Sequence, residues 1–175
     1  MTYEIPVLHP VLVHFPIAFL LLAALTALAW LGWGTRFWRD VTLILLAAGF
    51  IGGIGAYVTG EAAEERAEAK PQVRQLSAQH ESAALLTLMA SGLALFVLAA
   101  YQGASRRLLR GSDKDLPMVR VVVAVLAVAA AVLVARTGHL GGLMVWGVPA
   151  SNAPGGASPQ QPLETSEGEE RHERE

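Results

Sequence analysis

Four long runs of apolar residues constrain this chain more than anything else in it. Residues 11–31 carry no charge unless His14 is protonated, and residues 41–58 and 82–101 carry none. Residues 117–135 contain one charge, Arg120, close enough to the end of the run to snorkel to an interface. Each run is near the roughly 20 residues that a helix needs to cross a hydrocarbon core. Core helices of a soluble protein keep a polar face at a 3.6-residue period, and these runs keep none. The expected fold is therefore all-α: a polytopic membrane protein with a bundle of four transmembrane helices.

Four spans place both chain ends on one side. The segments around residues 32–40 and 102–120 fall on the other, with Arg36, Arg39, Arg106, Arg107, Arg110, Lys114 and Arg120. The side of the chain ends has Arg66, Lys70, Arg74 and Arg136 near the spans, and Arg171 and Arg174 far out. The positive-inside rule then puts the arginine-rich loops in the cytoplasm and both termini outside the cytoplasm, in an inner (plasma) membrane. Trp30, Trp33, Trp38 and Tyr101 at one end of the spans, and Tyr3, Tyr57 and Trp146 at the other, suit the two membrane interfaces. The first residues lack a basic stretch and a small-residue cleavage site, so no cleaved signal peptide is expected.

Within the second run, Gly49 and Gly53 are four residues apart, as are Ala48 and Gly52. This spacing lets helices approach closely; the alternative is a flat wall for a planar cofactor. Residues 61–79 are charged and alanine-rich, broken at Pro71, and read as a hairpin that prolongs the flanking helices. Two regions follow: a transmembrane domain over 1–148, and a Pro-, Gly- and Glu-rich tail over 149–175 that cannot bury enough apolar surface to fold. His172 belongs to that tail.

The chain has no cysteine. That removes disulfides, thiolate zinc sites, iron–sulfur ligation and covalent haem attachment. A net charge of −2 offers no basic footprint for nucleic acid. No Gly-x-Ser-x-Gly, His-Glu-x-x-His or phosphate-loop pattern occurs, which leaves hydrolase and nucleotide-binding readings without support.

The histidines carry the chemistry. His9 and His14 open the first span, His80 opens the third, and His139 lies just after the fourth. Four of the five histidines thus share one layer at the end of the bundle that carries the termini. An ionisable residue at membrane depth is a functional candidate, because burying it unpaired is costly. His14, between apolar neighbours, and His80 rank first, then His139, with its glycines Gly138, Gly141 and Gly142, then His9. Neutral imidazole ligates haem iron, copper and zinc. Two facing histidines suffice for one b-type haem, whereas a bare metal site wants three or four converging ligands. Glu61, Glu64, Glu65 and Glu81 are candidate acceptors for imidazole N–H groups. Arg136, one turn before His139, suits a haem propionate or a glutamate. Against each of these stands the plain alternative of interfacial residues bonded to backbone or to each other. No Glu-x-x-His pair lies within a span, which disfavours a di-iron carboxylate site.

His9-Pro10, Val13-His14-Phe15-Pro16-Ile17-Ala18, Thr59-Gly60-Glu61, His80-Glu81 and Thr137-Gly138-His139-Leu140-Gly141-Gly142 together resemble the motifs of the domain-of-unknown-function 2231 family. The resemblance covers residues 5–148. It implies four helices and His9, His14, His80 and His139 as ligand candidates. It also implies a membrane partner of redox proteins of the Rieske or cytochrome c kind. The chain departs from the family pattern at Val145-Trp146-Gly147-Val148, where a Val-Tyr and a longer glycine-rich end are expected. The expectation is an electron-transfer or membrane subunit holding one haem b rather than a stand-alone enzyme. Copper or zinc binding or transport, and a structural subunit of a redox complex, are the alternatives.

Overall fold

A computed structural model of the chain describes residues 5–67, 71–108 and 116–147, and side chains over 8–60, 74–104 and 116–147. The tail over 149–175, the side chains of Glu61, Glu64 and Glu65, and the basic residues Arg106, Arg107, Arg110 and Lys114 lie outside what is described at side-chain level.

Among the described residues five helices follow in order: α1 (Ile5–Leu12), α2 (His14–Trp33), α3 (Arg36–Ala67), α4 (Pro71–Leu108) and α5 (Pro117–Trp146). Among the described residues four stretches are long and apolar enough to cross a membrane: Leu8–Trp33, Arg36–Gly60, Arg74–Ala104 and Pro117–Trp146. The first of these joins α1 to α2 through a kink at Val13. Pro16 causes it, because proline has no N–H for the Leu12 carbonyl and its ring crowds that carbonyl. The chain stays helical through the break, with Val13 N bonded to His9 O at 3.1 Å and Ile17 N to Val13 O at 3.3 Å.

α2 packs on α3 and α5, and α4 packs on the same two, so the four spans close into a square; α1 folds against α3. The buried positions are mostly small: Ala23, Ala27, Ala94, Ala127 and Ala130, with Leu20, Leu46, Leu98, Val123 and Trp30 between them. The bulky side chains point outward instead, among them Leu25, Ile44, Ile51, Phe96, Val125 and Val132. In water this would be inverted. In lipid, hydrocarbon outside is as apolar as the core, and helices associate through close backbone packing. Gly49 and Gly53 of α3 serve this role. A Cβ on Gly49 would lie 2.6 Å from Leu20 Cδ2 of α2, and one on Gly53 would lie 2.9 Å from Leu88 Cδ2 of α4. The wall is filled by helices.

Buried and half-buried hydroxyls are satisfied locally. Thr87 Oγ1 donates to Ala83 O (2.8 Å), Ser91 Oγ to Thr87 O (2.7 Å) and Thr137 Oγ1 to Leu133 O (2.8 Å). Thr42 Oγ1 lies 3.0 Å from Thr26 Oγ1 and so ties α3 to α2.

The connection from α2 to α3 is tighter than the sequence suggests, because α3 already begins at Arg36. Gly34 ends α2 in the left-handed region (φ 66°), its N–H bonded to Trp30 O at 2.8 Å. Only glycine adopts this conformation without a Cβ penalty. Gly34→Ala should destabilise the protein by about 1 kcal/mol, read as a lower unfolding midpoint in detergent. Beside the turn, Trp33 and Trp38 stack with centroids 5.7 Å apart.

α5 starts at Pro117, after an extended Leu116. Its fixed φ suits a first helical position. α5 then runs on through Arg136 to Trp146, so His139 lies within the last span rather than after it. Arg136 is exposed and needs no helix end to reach polar surroundings.

Candidate functional site: two helix-held histidines

The candidate histidines lie at one end of the bundle in two separate places, His9 between α1 and α3 and His80 between α4 and α5. His9 projects from α1 and is half-buried. Its Nδ1 lies 2.9 Å from Ala56 O and 3.2 Å from Thr59 Oγ1, both on α3. A carbonyl can only accept, so this Nδ1 carries the proton and donates it. Nε2 is then the basic nitrogen of the neutral ring. The ring lies over Gly60, where a Cβ would stand 3.1 Å from His9 Cε1.

His80 repeats this arrangement on the other pair of helices. It is half-buried on α4, and its Nδ1 donates to Thr137 O of α5 at 2.9 Å. A Cβ on Gly141 would stand 3.3 Å from His80 Cε1. In both places the acceptor carbonyl at position i (Ala56, Thr137) is followed by glycine at i+4 (Gly60, Gly141). In a helix the N–H of i+4 bonds the carbonyl of i. A side chain at i+4 would therefore stand where the ring must lie to reach that carbonyl. Two glycines thus open two carbonyls to two imidazoles.

His14, the first residue of α2, is exposed, and so are His139 and Arg136. The apolar sequence around His14 reflects an outward-facing position rather than a buried one. Among the described residues, no three or more of His, Asp and Glu gather where they could hold one metal ion. Glu81, next to His80, accepts from Tyr57 Oη at 3.2 Å and links α4 to α3. Thr87 and Thr137 hydroxyls lie 3.4 Å apart one level further into the bundle.

The acceptor carbonyls of Ala56 and Thr137 are not visible to motif reasoning, since every helical residue has a carbonyl. What marks them is the glycine one turn later, facing a histidine on another helix. The motifs Thr59-Gly60 and Thr137-Gly138-His139-Leu140-Gly141 carry that mark.

A family described as "predicted membrane protein (DUF2231)" matches residues 5–154 of the chain. No curated protein and no solved structure matches it.

Proposed function

The chain belongs to the DUF2231 family of predicted membrane proteins, and from that premise we propose that it is a membrane electron-transfer subunit holding one b-type haem through His9 and His80. The observation that supports the reading is the matched pair of imidazoles, each oriented by donating Nδ1–H to a backbone carbonyl of another helix. Ligating histidines are commonly fixed in this way, which sets the tautomer and raises the basicity of the ligating nitrogen. Such a group would supply one-electron chemistry there, its potential tuned by the two imidazoles that would hold it. His14, His139 and Arg136, exposed at the same end, suit contact with propionates or with a redox protein of the Rieske or cytochrome c kind. A copper or zinc site has less support, since its three or four ligands do not gather among the described residues.

The test is an absorption spectrum of the protein purified in mild detergent, oxidised and reduced, with metal analysis on the same sample. A Soret band that shifts on reduction, with one iron per chain, is the expected result. A colourless, metal-free protein of full stability overturns the haem reading.

One observation favours a second reading. The same hydrogen bonds join α1 to α3 and α4 to α5, so the histidines would serve as clasps in a structural subunit.

The proposed setting is the inner membrane with both termini outside the cytoplasm, which the arginine and lysine distribution supports. A reporter fused after Gly147 should score as extracytoplasmic, and one inserted at residues 109–115 as cytoplasmic. The opposite pair of signals reverses the orientation.

A further inference from the structure

Arg120 lies in the first turn of α5, within a candidate membrane span and half-buried. It does not snorkel freely to the surface, because its guanidinium lies against the backbone of Gly34 in the α2–α3 turn. Its one hydrogen bond among the described residues is long: Nη2 to Gly34 O at 3.4 Å. Its Nε is buried with no hydrogen-bond partner among the described residues. Among the described residues, the carboxylate of Asp40 at the start of α3 already accepts from Gln102 Nε2 at 3.0 Å and from Arg39 Nε at 3.2 Å, and no ion pair joins it to Arg120. A guanidinium at membrane depth with one weak neutral acceptor is short of an anion.

A second observation lies alongside. The outward face of α2 carries a groove of about 360 Å³ lined by Leu25, Leu28, Ala29, Gly32 and Trp33. Those residues recur at helical spacing, so the groove runs along the span, and it ends at Trp33, the residue before Gly34. It is open to the outside rather than enclosed, and its one polar side-chain group is the indole N–H of Trp33. Hydrocarbon would suit it along its length, and it ends one residue before Gly34, against which the Arg120 guanidinium lies.

We infer that this end of α2 and α5 binds one phospholipid, with the phosphate on Arg120 and an acyl chain in the α2 groove. The guanidinium fork matches phosphate oxygens bidentately, and the indole of Trp33 flanks the chain at the interface depth where such rings favour lying. A free phosphate would satisfy the charge alone, whereas a phospholipid satisfies the charge and the groove.

Native mass spectrometry of the full chain, released from detergent in the presence of phosphatidylglycerol, phosphatidylcholine or inorganic phosphate, tests the site. The wild type should retain one phosphatidylglycerol. Arg120→Gln should lower its occupancy about fivefold, the order expected for one basic group at an anionic lipid, and should erase the preference over phosphatidylcholine. Gly32→Leu fills open space, since nothing stands within 4 Å of a Cβ there, so it should weaken both lipids equally and keep the preference. Helical content by circular dichroism confirms that both variants fold, and Arg120→Lys should restore part of the preference should Arg120→Gln fail to fold. Wild-type lipid occupancy in Arg120→Gln overturns the assignment. So does protection from thermal unfolding by inorganic phosphate equal to that by phosphatidylglycerol, which would make the site one for a soluble anion.

Discussion

Replacing Gly49 by leucine should lower the thermal unfolding midpoint in detergent by several degrees and broaden the transition. The first added carbon alone would stand 2.6 Å from Leu20 Cδ2, 2.8 Å from its Cγ and 3.4 Å from its backbone nitrogen. Leu20 is 1% exposed and lies in the core with Ala23, Leu46 and Ala127. It has no empty volume to rotate into, so α2 and α3 must separate. Overpacking of this kind costs about 1–3 kcal/mol, and a chain of this size loses roughly 2–4 °C per kcal/mol. Gly53→Leu should cost less, because its nearest neighbour is the tip of Leu88, which is only half-buried. Gly55→Leu, where no atom stands within 4 Å of a Cβ, should leave the midpoint within error. Equal midpoints for all three variants would mean that α2 and α3 do not pack closely at Gly49.

That contrast shows what the sequence makes legible. The spacing of Gly49 and Gly53 announces a close helix contact, and both glycines make one. The spacing is silent on the partner, and the two divide between α2 and α4. The same limit applies elsewhere. The four spans are evident because each run is apolar all round, a property of the residues alone. Helix ends are less evident: charge at Arg136 and glycine at 138, 141 and 142 lower the helical signal without stopping α5 before Trp146. The layer of histidines is legible from position along the spans. Which ones turn inward is not, because that depends on which helices become neighbours. His14 sits between apolar neighbours and is exposed, while His9, next to Pro10, is held against α3. Arg120 is legible as the single charge in its span. The turn that covers it is set by Gly34, which is 86 residues away in sequence.

The two readings of the histidines separate most widely when each ring is replaced by a side chain that keeps the hydrogen bond and loses the ligand. Glutamine at position 80 retains N–H groups that can reach Thr137 O, but it is no match for imidazole as an iron ligand. If His9 and His80 hold a haem, His80→Gln and His9→Gln should each abolish or strongly displace the Soret band while iron per chain falls. His14→Ala, His139→Ala and His172→Ala should leave the band in place. If the histidines are clasps, there is no band to lose, and the glutamine variants should keep the wild-type unfolding midpoint. Alanine at 9 or 80 would then lower it by the worth of one interhelical hydrogen bond, about 0.6 kcal/mol and at most near 1.7. Gly141→Leu supplies an independent check. Its first carbon would meet His80 Cε1 at 3.3 Å, so the larger side chain must push the ring off the Thr137 carbonyl. Under the haem reading the band shifts with His80 still present. A band that survives His9→Gln, His80→Gln and Gly141→Leu unchanged would place any haem elsewhere and leave these two histidines as links between helices.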